Sequence, residues 1–392
     1  MRDGWVEKKL IDVVDVLDRF RKPINSTERE GRQGSVPYYG ANGQTGWIDD
    51  SIFNEELVLL GEDAIDFSDP NARKAYLISG PSWVNNHAHV LRAIPQRVES
   101  YFLAESLNRV DYSQYVSFGT RSKLTQSSMS GIKVLLPPLP EQKRIVDLIS
   151  SVDAYVEALQ QQLECAKKSR SAVLHELLTT GGDDWVESNL GSIAKWSGGI
   201  TPSMANLEFW TDGTIPWISS GDIATYERQG TKKYVTRKAL SDSSLKLLPI
   251  GTIILVVRSG ILIHSLPVAI LREPACINQD IKSAQVNENM VPEFLWMYLR
   301  FMEKEILSTC RKTGTTVQSI STDALLGMTI NVPPLAQQKS IIEIISTVDE
   351  IANRTERVIN QAQNLRSGLL SDLLSGNHEI PASYDKLMDV AG

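Results

Sequence analysis

The chain has 392 residues, too many for one ordinary domain and enough for two of about 150 residues with connectors. Hydrophobic residues make up 42% and charged residues 22%, the mixture of a soluble globular protein and not of a disordered one. Net charge is −7, from 40 Lys and Arg against 47 Asp and Glu. That excludes a broadly basic nucleic-acid binder; any phosphate contact has to come from local clusters.

The opening, MRDGW, places acid and tryptophan where the apolar core of a signal peptide would begin, so a cytoplasmic location is expected. Residues 1–136 read as a globular domain of mixed α and β type. Strand-like runs are Leu57–Leu60, Ala75–Ile78 and His89–Ile94, with a helical pattern at Ser100–Leu107. RFRKPINSTEREGRQG (19–34) sets basic side chains among small polar ones and offers Arg21, Lys22 and Arg32 as DNA contacts. PYYGANGQTGW (37–47) adds Tyr38, and Asn42 and Gln44, whose amides match a base edge. A glycine–threonine loop, GTRSKLTQ (119–126), contributes Arg121 and Lys123; such loops present N–H groups, hydroxyls and cations to phosphates. Singly, each cluster also reads as solvated surface. His87 and His89 stand two apart, on one side of a strand, without a third ligand nearby. Asp63, Asp66 and Asp69 read as solvated carboxylates, so no metal site is expected.

Residues 137–181 open with Pro137–Pro138, suited to the turn before a helix, and then run without Pro or Gly, Pro140 apart, to Gly181. Apolar residues recur by three and four at Ile145, Ile149, Val152, Val156, Leu159, Leu163, Val173 and Leu177, with Arg170 in the same seam. Residues 182–332 read as a second mixed α and β domain, with strand-like Thr252–Val257 and Leu262–Ile270 and a helical pattern at Val291–Leu307. Its most apolar stretch, Thr252–Leu271, is interrupted by Arg258, Gly260, His264 and Pro267, and reads as two or three buried strands instead of a membrane helix. DNA-contact candidates here are Lys232, Lys233, Arg237 and Arg258, joined by Arg311, Lys312 and Thr315 of a second glycine–threonine loop. Residues 333–376 carry a further seam at Ile341, Ile345, Val348, Ile359, Leu369 and Leu373, with Arg366, and 377–392 form a tail.

The two helical segments are copies. Leu136–Thr180 aligns without gaps on Val332–Gly376 at an offset of 196, with 16 of 45 positions identical. Both seams keep one a/d phase for nearly five heptads, the mark of a coiled-coil pair. Two unrelated amphipathic helices, each packing on its own domain, would not need a shared phase. A helix of about 40 residues is about 60 Å long, whereas a 150-residue domain is roughly 35–40 Å across. Antiparallel helices let each domain enter and leave at its own end of the pair. The expected architecture is α+β: two globular mixed α/β domains separated by an antiparallel coiled coil, a pseudo-twofold dumbbell with the N-terminus close to the end of the second helix. GWVEKKLIDV (4–13) and DWVESNLGSI (184–193) open the two halves alike. Arg170 and Arg366 either snorkel to solvent, meet a carboxylate or dock a partner.

No phosphate-binding G-x-x-x-x-G-K-[ST], no G-x-G-x-x-G after a strand, no G-x-S-x-G elbow and no Asn/Asp-Pro-Pro-aromatic motif occurs. Cys165, Cys276 and Cys310 stand far apart without ligand spacing, which fits a reducing compartment. A non-catalytic reader or scaffold is expected. On Pro137-Pro138-Leu139-Pro140-Glu141-Gln142-Lys143 and Pro333-Pro334-Leu335-Ala336-Gln337-Gln338-Lys339, the Trp5 and Trp185 openings and the Tyr39–Gly43 segment, the chain resembles the specificity (S) subunits of type I restriction–modification systems over nearly its whole length. The second copy departs in Gln337, where the family has glutamate.

The resemblance implies target-recognition domains at 1–136 and 182–332, each reading one half of a split, asymmetric double-stranded DNA site. The helices at 137–181 and 333–376 would act as spacer and dock two modification (M) subunits, which bring adenine-N6 methylation with S-adenosylmethionine. Restriction (R) subunits would add ATP and Mg chemistry. The chain itself would hold no cofactor and meet no membrane. The alternative is a coiled-coil scaffold joining two protein-binding domains.

Overall fold

The computed structural model describes residues 4–70, 72–116, 122–223, 230–312 and 317–385. The chain divides into two units, Met1–Gln161 with Arg357–Gly392, and Gln162–Glu356. Each holds one globular domain and part of each long helix.

Unit 1 begins with β1 (Val6–Lys9), β2 (Val14–Val16), α1 (Ser26–Glu30), β3 (Val36–Gly40), β4 (Gly43–Ile48), β5 (Phe53–Asn54) and β6 (Leu57–Gly61). It continues with β7 (Ala75–Ile78), β8 (Pro81–Val84), β9 (Ala88–Ala93), α2 (Ser100–Leu107), α3 (Gln126–Ser130), β10 (Lys133–Leu136) and the long helix α4 (Leu139–Thr179). One antiparallel sheet has the order β2-β9-β6-β7; another, β4-β3-β8-β5, contains a parallel β3–β8 pair. The unbroken apolar run of β6 has a simple cause, since both of its faces are covered. Val58 and Leu60 join Phe102, Leu103 and Leu107 of α2, while Leu57 and Leu59 pack with Leu17, Tyr76 and Val84. β1 pairs antiparallel with β10, Val6 opposite Leu136, so the chain leaves the domain where it entered.

Unit 2 repeats this plan with unlike residues. Its elements are β11 (Val186–Asn189), β12 (Ala194–Gly198), β13 (Ile215–Ile218), β14 (Lys233–Val235), α5 (Arg237–Asp242), β15 (Ile253–Val256) and β16 (Val268–Ile270). There follow β17 (Cys276–Ile277), β18 (Ile281–Val286), α6 (Pro292–Phe301), α7 (Glu303–Thr309), α8 (Thr322–Gly327), β19 (Thr329–Val332) and the second long helix α9 (Leu335–Leu374). The sheet β12-β18-β15-β16 matches β2-β9-β6-β7 strand for strand, β13–β17 is parallel like β3–β8, and β11–β19 closes the domain like β1–β10. The strand expected at 262–270 starts only at Val268. Gly260–Ile263 forms a 3₁₀ turn instead, capped by the Ser259 side chain accepting from the Ile261 N–H. The helical pattern at 291–307 breaks at Met302 into α6 and α7.

Both long helices start directly after a double proline and are followed by a left-handed glycine, Gly181 at φ 64° and Gly376 at φ 73°. Gly368 lies inside α9 without interrupting it. A Cβ at Gly376 would lie 3.4 Å from the Trp5 ring, so the N-terminal opening sits at the end of α9. In unit 1, Arg144 of α4 pairs with Asp385 and Asp153 with Arg366. In unit 2, Arg170 pairs with Asp349, while Trp185, after α4, reaches Gln337. Partner numbers fall as the α4 numbers rise, so the two helices are antiparallel within each unit.

Of the seam positions, Ile145, Ile149, Val156, Leu163, Ile341, Ile345, Ile359 and Leu373 are buried. Val152, Leu159, Val173, Leu177, Val348 and Leu369 are half-buried. Toward the helix ends Leu174, Leu178 and Leu370 take the buried places. A straight α-helix drifts about 20° per heptad against a 3.5-residue repeat, so the apolar face moves on by one residue in about five heptads. Among the described residues no helix is long and apolar enough to cross a membrane.

A buried glutamine joins each domain to its helix pair. Gln142 is 1% and Gln338 0% exposed. The Gln142 Oε1 accepts from the Glu99 N–H ahead of α2 (2.9 Å), and its Nε2 donates to the Pro137 carbonyl (2.9 Å). The Gln338 Oε1 accepts from the Val291 N–H ahead of α6 (2.8 Å), and its Nε2 donates to the Pro333 and Asn289 carbonyls (2.8 and 2.9 Å). One amide thus bonds backbone groups ahead of two helices at once.

Candidate nucleic-acid interface

In unit 1, Arg21 and Lys123 converge on one carboxylate. The Arg21 guanidinium lies 2.7 Å and the Lys123 ammonium 2.9 Å from Glu62. Arg21 also donates to the Ala88 carbonyl at 2.8 Å, so its charge is engaged inside the domain. Beneath them His89, 1% exposed, meets Asp18 through Nδ1 (2.6 Å) and the Leu124 carbonyl through Nε2 (2.8 Å). Burial pushes the Glu62 carboxyl up, but hydrogen bonds from Arg21 and Lys123 and the charge on nearby groups more than reverse this and hold it below the usual value. The cluster ties the segment entering α3 to the end of β6, where the Leu124 N–H also donates to the Glu62 carbonyl (2.8 Å).

The remaining candidates of this unit are spread more widely. Asn42 is exposed in the β3–β4 turn and donates to the Ala64 carbonyl (3.0 Å); Gln44 is exposed and donates to the Gly46 carbonyl (3.2 Å). Lys22 is exposed. Arg32 pairs with Asp49 at 2.7 Å and stacks over Trp83. Tyr38 is 2% exposed under the Arg29 guanidinium and serves packing. Arg121 lies outside the described residues. His87 and His89 do not share a strand face: His87 sits in the turn before β9, exposed and 2.7 Å from Asp63 through Nδ1. A β-strand puts residues two apart on one face only if both belong to it. Among the described residues no group of three metal-ligating side chains occurs.

In unit 2, Lys232, Lys233, Arg237, Arg258, Arg311 and Lys312 are all exposed. Lys233 lies over Trp210 and Trp217, 6.0 and 5.8 Å from the ring centres. Arg258 and Arg311 are brought together through the segment 318–320. Arg258 bridges to Ser319 and Arg311 to Ile320, and the Lys312 N–H donates to the Ser319 carbonyl (2.8 Å). Thr315 lies outside the described residues. The Ile320 N–H donates to the Val257 carbonyl at 2.8 Å, the same bond that Leu124 makes to Glu62 in unit 1. So each unit gathers cations at the end of the strand that leads into this bond, β6 or β15, on a common backbone frame.

Sequence reasoning missed Glu62 and Asp18 and weighed His89 only as a metal ligand; Glu62 and His89 lie far from the basic run in sequence, whereas Asp18 directly precedes it. It also missed two equivalent turns, Asn85–His87 and Asn278–Asp280, for which a repeated asparagine was the sole signal.

The seams resolve the two arginines as well. Arg366 reaches Asp153, Glu105 (2.8 Å) and the Tyr101 hydroxyl (2.9 Å). Arg170 meets Asp349.

The family model of the type I restriction modification DNA specificity domain matches residues 2–166 and 182–364. The chain belongs to that family. The two matches fall one on each domain with the start of the helix behind it, which is the duplication in another form. A type I restriction enzyme EcoR124I/EcoR124II specificity subunit from Escherichia coli is 34% identical over 240 residues, 59% of each chain. A putative type I specificity subunit from Haemophilus influenzae is 30% identical over 147 residues, 38% of this chain and 37% of that one. The aligned stretches thus span well under two thirds of these relatives. Among solved structures, the type I S subunit from M. genitalium aligns over 95% of this chain and 97% of its own, with TM-score 0.58 and 14% identity. The HsdS subunit from Thermoanaerobacter tengcongensis aligns over 96% and 98%, with TM-score 0.52 and 15% identity. These two likenesses show the fold: specificity-domain proteins share the paired domains and long helices over the whole chain.

Proposed function

We propose that this chain is the DNA-reading, non-catalytic component of a type I restriction–modification complex in the cytoplasm. Residues 1–136 and 182–332 are its target-recognition domains, each for one half of a bipartite, asymmetric site. Residues 137–181 and 333–376 form the spacer, with 377–392 as a tail. Lys22, Lys123, Lys232, Lys233, Arg237, Arg258, Arg311 and Lys312, with Arg121 and Thr315 of the glycine–threonine loops, mainly hold phosphates; Asn42, Gln44 and one arginine per domain face bases. The observation that carries the reading is one strand order repeated in two domains whose exposed side chains differ, as unlike half-sites require.

Two M subunits dock on the helices and supply S-adenosylmethionine chemistry, and R subunits supply ATP and Mg chemistry. Tyr155 and Ile351 support two equivalent docking faces: they occupy the same position of the repeat, and both are large apolar side chains left half exposed or more. The test is adenine methylation of DNA by this chain alone, by an M subunit alone and by the two together; activity is expected only from the pair. Because the chain is acidic overall, its binding without partners is expected to be weak, with a shallow salt dependence. Methylation by the chain alone, or selective methylation by M alone, would sink the proposal.

A further inference from the structure

Two turns, one in each domain, have the same backbone frame and different exposed side chains. In unit 1 the Asn85 N–H donates to the Tyr39 carbonyl (3.0 Å), the His87 N–H to the Asn85 Oδ1 (2.8 Å), and the Glu62 N–H to the His87 carbonyl (2.8 Å). In unit 2 the Asn278 N–H donates to the Ile218 carbonyl (3.0 Å), the Asp280 N–H to the Asn278 Oδ1 (3.1 Å), and the Val257 N–H to the Asp280 carbonyl (2.8 Å). Each turn follows the short strand, β8 or β17, that runs parallel to β3 or β13. An asparagine caps both turns from within, an arrangement that fixes the backbone locally. The next two residues are Asn86 and His87 in one, Gln279 and Asp280 in the other.

We propose that these turns are further base-reading elements, one in each domain, with His87 and Gln279 as specificity-determining residues; the assignment rests on the DNA reading above. His87 is 49% exposed, yet its backbone is held at both N–H and C=O and its ring is oriented by Asp63, 2.7 Å from Nδ1. An ionised carboxylate only accepts, so Nδ1 carries hydrogen, and a ring with that single hydrogen has Nε2 as its acceptor. The matching major-groove donors are the exocyclic amines of adenine and cytosine. Gln279 is exposed, and its amide is oriented by the Thr201 hydroxyl donating to Oε1 (2.6 Å) and by its own Nε2 donating to Asp280 (3.4 Å). One lone pair and one N–H remain, the pair that matches N6 and N7 of adenine. An exposed side chain that adds no packing and is still held rigid suits recognition, because little entropy is lost on contact. Cations flank both turns: Lys123 on Glu62 in unit 1, and Arg258 in unit 2, whose N–H donates to the Asp280 carbonyl (3.2 Å). Phosphates are thereby offered a seat beside each reader.

The experiment reconstitutes the full chain with its modification subunits and selects from randomised duplex DNA, comparing the native chain with His87→Ala, His87→Gln and Gln279→Ala. His87→Ala is expected to relax one position of one half-site by roughly tenfold or more, and Gln279→Ala one position of the other half-site. His87→Gln, which keeps an acceptor, is expected to retain part of the preference. Thermal unfolding of each variant should match the native chain. If the native complex selects a site and the variants return an unchanged profile, or lose all positions equally, the assignment is overturned while the DNA reading stands. If the native complex selects nothing, the DNA reading falls, and the assignment with it.

Discussion

Arg366 and Arg170 occupy one position of the duplicated helix, and the two units seat them differently. Each crosses the helix pair to an aspartate, Asp153 or Asp349. In unit 1, α2 adds Glu105 and Tyr101, so the arginine ties the helix pair to the globular domain. Counted from Glu99 and Val291, whose N–H groups meet the equivalent buried glutamines, Glu105 and Tyr101 correspond to Met297 and Glu293 of α6. Met297 instead lines a groove of about 610 Å³ beside Arg170. Duplication therefore preserved the cross-helix pair and the glutamine joint, while the domain-side partners of the arginine diverged. What lies within the helix repeat is constrained twice; what faces each domain is constrained once.

The largest effect should fall on the shared joint. Gln142→Ala and Gln338→Ala each strand a backbone N–H and carbonyls in a buried site, at a cost of about 3 kcal/mol in either unit. Chemical denaturation of both variants checks this, and a strong inequality between them would break the equivalence of the joints. The arginines should then separate the units. Arg366→Ala leaves Asp153 and Glu105 facing each other, and is expected to cost about 2 kcal/mol, reduced from a fully buried pair by its partial exposure. Arg170→Ala loses one partly exposed pair, about 0.5–1 kcal/mol. A double-mutant cycle with Glu105→Gln should show coupling to Arg366 alone.

A smaller effect tests Gln337, which stands where the first copy of the repeat has Glu141. The Gln337 Nε2 donates to Asp184 (2.8 Å) while its Oε1 accepts from the Trp185 indole (2.9 Å). A glutamate there accepts from the indole but repels Asp184. Gln337→Glu is therefore expected to lower stability by about 1 kcal/mol, and Asp184→Asn to restore it. Thermal unfolding of the two variants decides; no loss from Gln337→Glu would mean that the amide is not matched to Asp184.

The helix pair was legible because heptad phase, double prolines and terminal glycines are local signals, and duplication printed them twice. The one-residue slip to Leu174, Leu178 and Leu370 was not, since 3.5 and 3.6 residues per turn diverge only over several heptads. The common strand order of the domains was hidden for another reason: a buried strand asks for apolar residues of about the right size, so LVLL and IILV meet one demand with a single leucine in common. Among the candidate contacts, local charge marked exposed Lys233 and half-buried Arg21 alike. Whether a cation faces solvent depends on carboxylates such as Glu62 that only the fold brings near.

That carboxylate offers the most local contrast. Glu62 stands where unit 2 has Val257, as the bonds from Leu124 and Ile320 show, so at this position unit 1 carries a titratable side chain and unit 2 an apolar one. Its pKa in the folded chain is below the ordinary value of 4.5. A depressed carboxyl stabilises the fold above its unfolded pKa, and this contribution fades as pH falls through the folded one. Acidification below about 4.5 should thus loosen the Lys123–Thr125 segment while leaving its counterpart at 319–321 unchanged. Hydrogen exchange at the Leu124 and Ile320 amides reads the two sites in one sample. Glu62→Gln should give Leu124 a protection that is lower at neutral pH and no longer acid-dependent in this range. Equal acid sensitivity at both amides would show that the loss is global, and that the Glu62 cluster does not distinguish the two domains.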